Sequence, residues 1–248
     1  MSDKNNKLLY LATVGILAYF IADIIHEVIG HAGSCLIIGI KIKQLTSVYF
    51  KSTPGNILVD IGGPTANLIF GGLAFYILTR TSFAKLFLFQ VTAYNLFWFS
   101  GTILHSGISK TGDWTFAIKE IVREPFAKVL LIISGILFYI IILRILNSYL
   151  NQQNKGKQIE PLTKKNIFYS FIFASISAFV AGLFFQFDRL HSALEGLLEM
   201  SASLPILFLK FRDHFIDENY KFRLNYYFGL TALIVYLAFC LTLGKGIT

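Results

Sequence analysis

Runs of about twenty apolar residues recur along this chain, and they restrict what it can fold into more than any other feature. The first is "LLYLATVGILAYFIADII", residues 8–25. A helix of that length crosses a hydrocarbon layer ~30 Å thick. Further runs begin at "IGGPTANLIFGGLAFYILT" (61–79) and cover 84–107, 126–146, 167–187 and 226–243. Residues 189–209 are apolar with interspersed His191, Glu195 and Glu199, and either cross or lie along a surface as an amphipathic helix. Backbone surrounded by lipid must satisfy its own hydrogen bonds, which favours helices. The expectation is an all-α polytopic membrane protein of about six to seven transmembrane helices.

One stretch breaks the pattern. "GIKIKQLTSVYFKSTPGNILVD" (39–60) alternates β-branched and aromatic residues with polar ones, then reaches a Ser-Thr-Pro-Gly turn. It predicts a small strand or hairpin element near residues 40–60, at the membrane edge. Pro64 fits a first helical turn, where its missing N–H costs nothing. Residues 147–166 and 210–224 read as polar, charged loops. No repeat or soluble domain is visible, so residues 1–248 form a single membrane domain. Residues 8–115 are expected to form a core of three spans, and 116–248 to supply additional helices.

Composition agrees. The chain is 55% hydrophobic and only 15% charged, more apolar than a soluble core of this size requires. Its formal net charge of +8 is scattered through short loops, the ordinary positive-inside pattern and not a nucleic-acid patch. Lys and Arg are slightly more numerous on the N-terminal side, so the N-terminus is expected in the cytoplasm; the membrane expected is that of the cell (plasma membrane). The apolar pattern of the N-terminus continues past residue 20 with no small-residue cleavage site, as in a retained span. Cys35 and Cys240 both lie in apolar segments and define no disulfide framework.

Ionisable residues within such spans are costly and usually functional. "DIIHEVIGHAG" (23–33) holds four: Asp23, His26, Glu27 and His31. Two imidazoles bind a catalytic zinc, a non-ligating carboxylate takes the proton of its water, and one further protein ligand is expected. The spacing poses a geometric problem. At 100° per residue, positions five apart point about 140° away from each other in a regular α-helix. A π-bulge, one wide turn, repairs this, and such bulges occur mostly at functional sites. Gly30 lies inside the interval and removes side-chain crowding there.

"HEVIGHA", then "GGPTAN", "YNLFW" and "GDW", in that order, resemble the site-2 protease family of intramembrane zinc proteases. The resemblance covers roughly residues 15–115. It departs from the family in carrying H-E-x-x-x-H for H-E-x-x-H, and "TGDW" for Leu-Asp-Gly. The five-residue spacing is similar to that of the dipeptidyl peptidase III family. The resemblance implies His26 and His31 as ligands of one Zn2+ per chain, Asp113 as third ligand and Glu27 as catalytic base. It gives Asn67 and Asn95 roles in holding substrate or donating to an oxyanion. An up-down-up path through three spans independently brings Asp113 to the side of the two histidines. His105 is the rival third ligand or a neighbour of the ligands, and Asp60 a weaker rival. Asp23 shares the face of His26 and Glu27 and is placed to fix the His26 tautomer.

The function expected is an intramembrane zinc metalloprotease that hydrolyses peptide bonds of membrane-embedded or juxtamembrane segments. Its partners are a transmembrane protein or peptide substrate and the lipid bilayer. The alternatives are a membrane zinc amidase acting on a lipid, or a non-catalytic binding or transport protein.

Overall fold

The computed structural model describes residues 3–119, 122–153, 162–210 and 226–247. The chain begins with one long rod: α1 (Asp3–Asp23), a π-helical segment (Ile24–Ala32) and α2 (Gly33–Ile38). Gly39, in the left-handed region at φ 74°, ends it. An antiparallel hairpin follows, with β1 (Lys41–Leu45) and β2 (Phe50–Thr53). It pairs Lys41 with Thr53 and Leu45 with Phe50, and its register shifts between Ile42 and Gln44. The Thr46 hydroxyl closes its turn by accepting from the Val48 and Tyr49 N–H groups. The expected hairpin is therefore present. Its β1 edge is tied at Leu45 to Ile247 through two backbone bonds of 2.9 and 2.8 Å.

Asn56 caps the short α3 (Ile57–Asp60) by accepting from Leu58 N–H. Then come α4 (Gly62–Arg80), α5 (Lys85–Ser109), α6 (Asp113–Lys119), α7 (Phe126–Gln153), α8 (Lys164–Leu183), α9 (Arg189–Ser201) and α10 (Tyr226–Phe239). A second π segment, Cys240–Gly244, finishes α10. The fold is thus all-α apart from one small sheet. Parts of the two expected polar loops, residues 154–161 and 211–225, lie outside the described residues.

Five helical stretches are long and apolar enough to cross a membrane: Asn5–Ile38, Ile57–Arg80, Phe126–Gln152, Lys164–Leu183 and Tyr226–Gly244. Two of the six to seven expected crossings take other forms. The 25-residue α5 packs at the bundle centre and turns Gln90, Thr92, Asn95, Ser100 and Ser106 inward. Its polar residues make it less apolar than the helices around it. α7 is the reverse: mean hydropathy reaches 2.8, yet only 22% of its apolar window is buried.

Residues 189–210 travel the depth of the bundle as a broken segment. Asp188 caps α9 at the hairpin end by accepting from His191 N–H. α9 has 13 residues, only about 20 Å of helix. A 3-10 turn (Leu204–Phe208) follows. At mid-depth Tyr139 Oη donates to the Ala202 carbonyl, and Lys210 N–H reaches Asn147 Oδ1 near the far end of α7. This path crosses the bundle without a continuous helix.

Candidate metal centre

The π segment brings together what a regular helix would separate. It covers Ile24–Ala32, and Gly33 N–H reaches back to the Val28 carbonyl, five residues earlier. The widened turn returns His31 to the azimuth of His26. Their Nε2 atoms lie 3.2 Å apart. Both rings are buried, as is Glu27 between them in sequence.

Glycine makes this geometry possible. A Cβ on Gly63 would stand 2.4 Å from His31 Nε2 and 2.8 Å from His26 Nε2. A Cβ on Gly30 would meet Gly63 Cα at 2.4 Å, and one on Gly62 would meet the Gly30 carbonyl oxygen at 2.6 Å. The start of α4 therefore lies backbone to backbone against the wide turn. The paired glycines serve close helix packing, and Gly30 owes its place to this crossing as much as to the bulge.

Asp113 completes the group. Lys110, at φ 62°, ends α5, and Gly112, at φ 96°, reverses the chain. Trp114 then anchors the turn: its N–H donates to Ser106 Oγ and its indole Nε1–H to Thr102 Oγ1. Asp113 Oδ2 lies 3.4 Å from His26 Nε2, and Oδ1 lies 3.6 Å from His31 Nε2. Burial pushes the Asp113 carboxyl up, but the bond with His26 and the potential of His31, His26 and His105 outweigh it and hold it below the ordinary carboxylate range.

The hydrogen-bond partners fix which ring nitrogen carries the proton. His31 Nδ1 lies 2.6 Å from the Val59 carbonyl oxygen, which can only accept, so Nδ1 is the donor. For His26 the logic runs through two amides. Asn95 Nδ2 donates to the Val91 carbonyl, which turns Asn95 Oδ1 towards Asn67. Asn67 Nδ2 donates to that oxygen and to the Ala22 carbonyl. Asn67 Oδ1 is left to accept from His26 Nδ1–H at 2.5 Å. In its neutral form each imidazole aims an Nε2 lone pair at Asp113. A proton on His26 Nε2 or a metal ion would each balance the carboxylate there.

The donors fit a metal ion. The ligand atoms of His26, His31 and Asp113 all lie within 4.8 Å of one another. Donors each ~2.1 Å from a tetrahedral ion are separated by about 3.4 Å, close to the 3.2 Å between the two Nε2 atoms and the 3.4 Å from His26 Nε2 to Asp113 Oδ2, while His31 Nε2 lies nearest the other carboxylate oxygen. Trp98 meets His26 edge-on at 5.9 Å, while Phe50 of β2 stacks on His31 at 5.1 Å. The two rings are walled as well as hydrogen-bonded.

Other sequence-selected residues fall as follows. Glu27 is buried, and its Oε2 has no hydrogen-bond partner among the described residues. Asn67 has both N–H bonds engaged, and it and Asn95 orient His26 in this structure. Asp23 does not reach His26 Nδ1. Its Oδ2 accepts from Tyr19 Oη at 3.2 Å, and Asn67 has taken the tautomer-fixing place. His105 is exposed beside Asp113, outside the three-residue group, as is Asp60.

Two contributors escape a reading of sequence, the Val59 carbonyl and Phe50, which carry no chemical signature of their own; Gly63 and Trp98 lie in the quoted "GGPTAN" and "YNLFW" stretches, where their contacts with the histidine rings are not legible. Glu199 was visible only as one side of an amphipathic helix. It comes close enough to Glu27, Asp23 and Asp113 to interact with their charges. No protein-family model, curated protein or solved structure matches this chain.

Proposed function

We propose that this chain is a multi-pass membrane protein and a zinc-dependent endopeptidase of the site-2 protease type, cutting membrane-embedded or juxtamembrane segments. The observation that carries the reading is the meeting of two tautomer-locked imidazoles, one carboxylate and the unpartnered Glu27 inside an apolar bundle. His26, His31 and Asp113 would hold the zinc, and Asn67 and Val59 keep the imidazoles in their ligating form. Bound zinc supplies Lewis acidity and makes water acidic enough to attack at neutral pH.

The rest of the chemistry belongs to the chain. Glu27 Oε2 accepts the proton of the attacking water and passes it to the leaving amine nitrogen. Burial by Trp98, Phe50 and the glycine contact excludes bulk water from the reacting carbonyl. An extended substrate segment would add to the hairpin by strand pairing. The β1 edge is tied to Ile247, so the substrate would pair with β2, whose Phe50 lies on His31.

The test joins metal content to cleavage. Purified protein should carry one zinc per chain, and His26→Ala, His31→Ala and Asp113→Ala should each lose it. Glu27→Gln should keep the zinc yet fail to cut a transmembrane reporter peptide. Cleavage of a lipid amide in place of the peptide would make the chain an amidase. A cellular effect that survives Glu27→Gln would make it a non-catalytic binder. Metal-free wild-type protein that still binds none after incubation with zinc would end the proposal.

A further inference from the structure

A cavity of about 550 Å3 lies between the hairpin and the corner joining α8 to α9. It is separate from the metal centre. Side chains alternate along a strand, and here the alternation divides the hairpin between two sites. Phe50 faces His31, whereas its neighbours Tyr49 and Lys51 line the cavity together with Lys43.

The lining has a definite chemistry. Neither Lys43 nor Lys51 has an ion-pair partner among the described residues. Tyr49 Oη is shielded from solvent and has no hydrogen-bond partner there. Burial, with the carboxylates of Glu195, Asp188 and Glu199, pushes that hydroxyl up to about 12, so it keeps its proton and can donate. Of the nearby acidic groups, Asp188 accepts from His191 N–H, and Glu195 lies 3.7 Å from His191 Nε2. Two free ammonium groups and a hydroxyl donor suit a phosphate oxyanion.

Position selects the source of that phosphate. Ile38, Ile57, Leu183 and Gly244, each the terminus of an apolar stretch, all lie at this end of the bundle. Phe187 at the cavity rim is 83% exposed, and Leu190 and Leu194 continue an exposed apolar strip along α9. Lysines and aromatic rings at the ends of spans, above an apolar strip, match the boundary between headgroups and acyl chains.

We propose that this cavity binds the headgroup of an anionic phospholipid, with its phosphate on Lys43, Lys51 and Tyr49 and its acyl chains along the Phe187–Leu194 strip. The inference rests on the bilayer placement proposed above and is independent of the metal chemistry.

The experiment uses the full chain, purified in detergent and titrated with phosphatidylglycerol, phosphatidylcholine or inorganic phosphate under native mass spectrometry. Wild type should retain phosphatidylglycerol in preference to phosphatidylcholine. A basic side chain at an anionic surface is worth about fivefold, so Lys43→Gln/Lys51→Gln should lose roughly 25-fold. Lys110→Gln/Lys128→Gln, with the same charge change at the same end of the bundle, should behave as wild type. Tyr49→Phe should weaken retention without altering net charge, and it serves as the readout if the double variant fails to fold. Equal losses in both lysine pairs would mean general surface charge and overturn the site. Displacement of the lipid by inorganic phosphate would make it a free-anion site and overturn the lipid assignment. Insertion into vesicles of both lipids without preference would sink this proposal alone; failure to insert into either would refute the bilayer placement.

Discussion

Among the described residues two helices contain a wide turn, and the two turns do different work. The first, Ile24–Ala32, lies within a continuous rod and bends nothing to an end. The second, Cys240–Gly244, terminates α10, with Lys245 N–H returning to the Cys240 carbonyl and Gly246 at φ 94° leaving the helix. Both rest a glycine against a neighbouring backbone: Gly30 on Gly63, and Gly244 on the Ala181 carbonyl. Only the first places histidines and a carboxylate on its inner face. A wide turn is therefore not in itself the mark of a site. It becomes one when the added residue brings together side chains that a regular helix would hold apart.

The contrast can be broken most severely by adding a residue to each turn. An alanine inserted between Ile29 and Gly30 rotates His31 by about 100° and should abolish stoichiometric metal binding. The same insertion after Leu241 should lower the melting temperature and leave metal content untouched. Elemental analysis beside a thermal melt separates the two, and metal loss in both variants would erase the distinction.

Glycine substitution should give the next largest effect. Gly63→Ala puts a methyl between the two Nε2 atoms and should weaken metal binding by at least about 100-fold, since a metal site tolerates errors of only ~0.2 Å. Gly244→Ala meets a carbonyl oxygen at 2.9 Å and should cost about 1–3 kcal/mol of stability, with metal affinity unchanged. Competition with a chelating dye reads the first and denaturant unfolding the second.

Asn67→Ala removes the acceptor of His26 Nδ1–H, a loss worth about 10–100-fold in metal affinity. Asn67→Asp keeps an acceptor and should recover most of it; equal defects in the two variants would argue that Asn67 acts through packing. Deleting Ile29 is the sharpest refinement. It converts the motif to H-E-x-x-H, whose histidines meet in a regular helix, so metal affinity should stay within about tenfold. The smallest change belongs to the second turn. Tyr236→Phe loses the bond to the Ser177 carbonyl at 2.6 Å, costing about 1 kcal/mol with no effect on metal.

These turns also mark how far a sequence can be read. The first is legible because His26 and His31 contradict a regular helix, and the contradiction has one economical repair. The up-down-up path likewise foretells that Asp113 returns to them. The second turn carries no such tension, since its shape comes from Ala181, Tyr236 and the Leu45–Ile247 pairing, contacts distant in sequence. α5 is legible as an apolar run at 84–107, but the inward placement of its polar residues is not, because it depends on how the bundle closes around them. The tautomer relay is the subtlest case. Asp23 and Asn67 are both chemically able to hold His26, and only the helix crossing decides between them.

Where the wide turn touches α4, the spacer is peptide and not side chain. Rotamer changes cannot widen or narrow the grip at that point, and a larger cation gains room only if whole helices part. A jaw of this kind is calibrated by main-chain contact, so ionic radius should govern which guest it keeps.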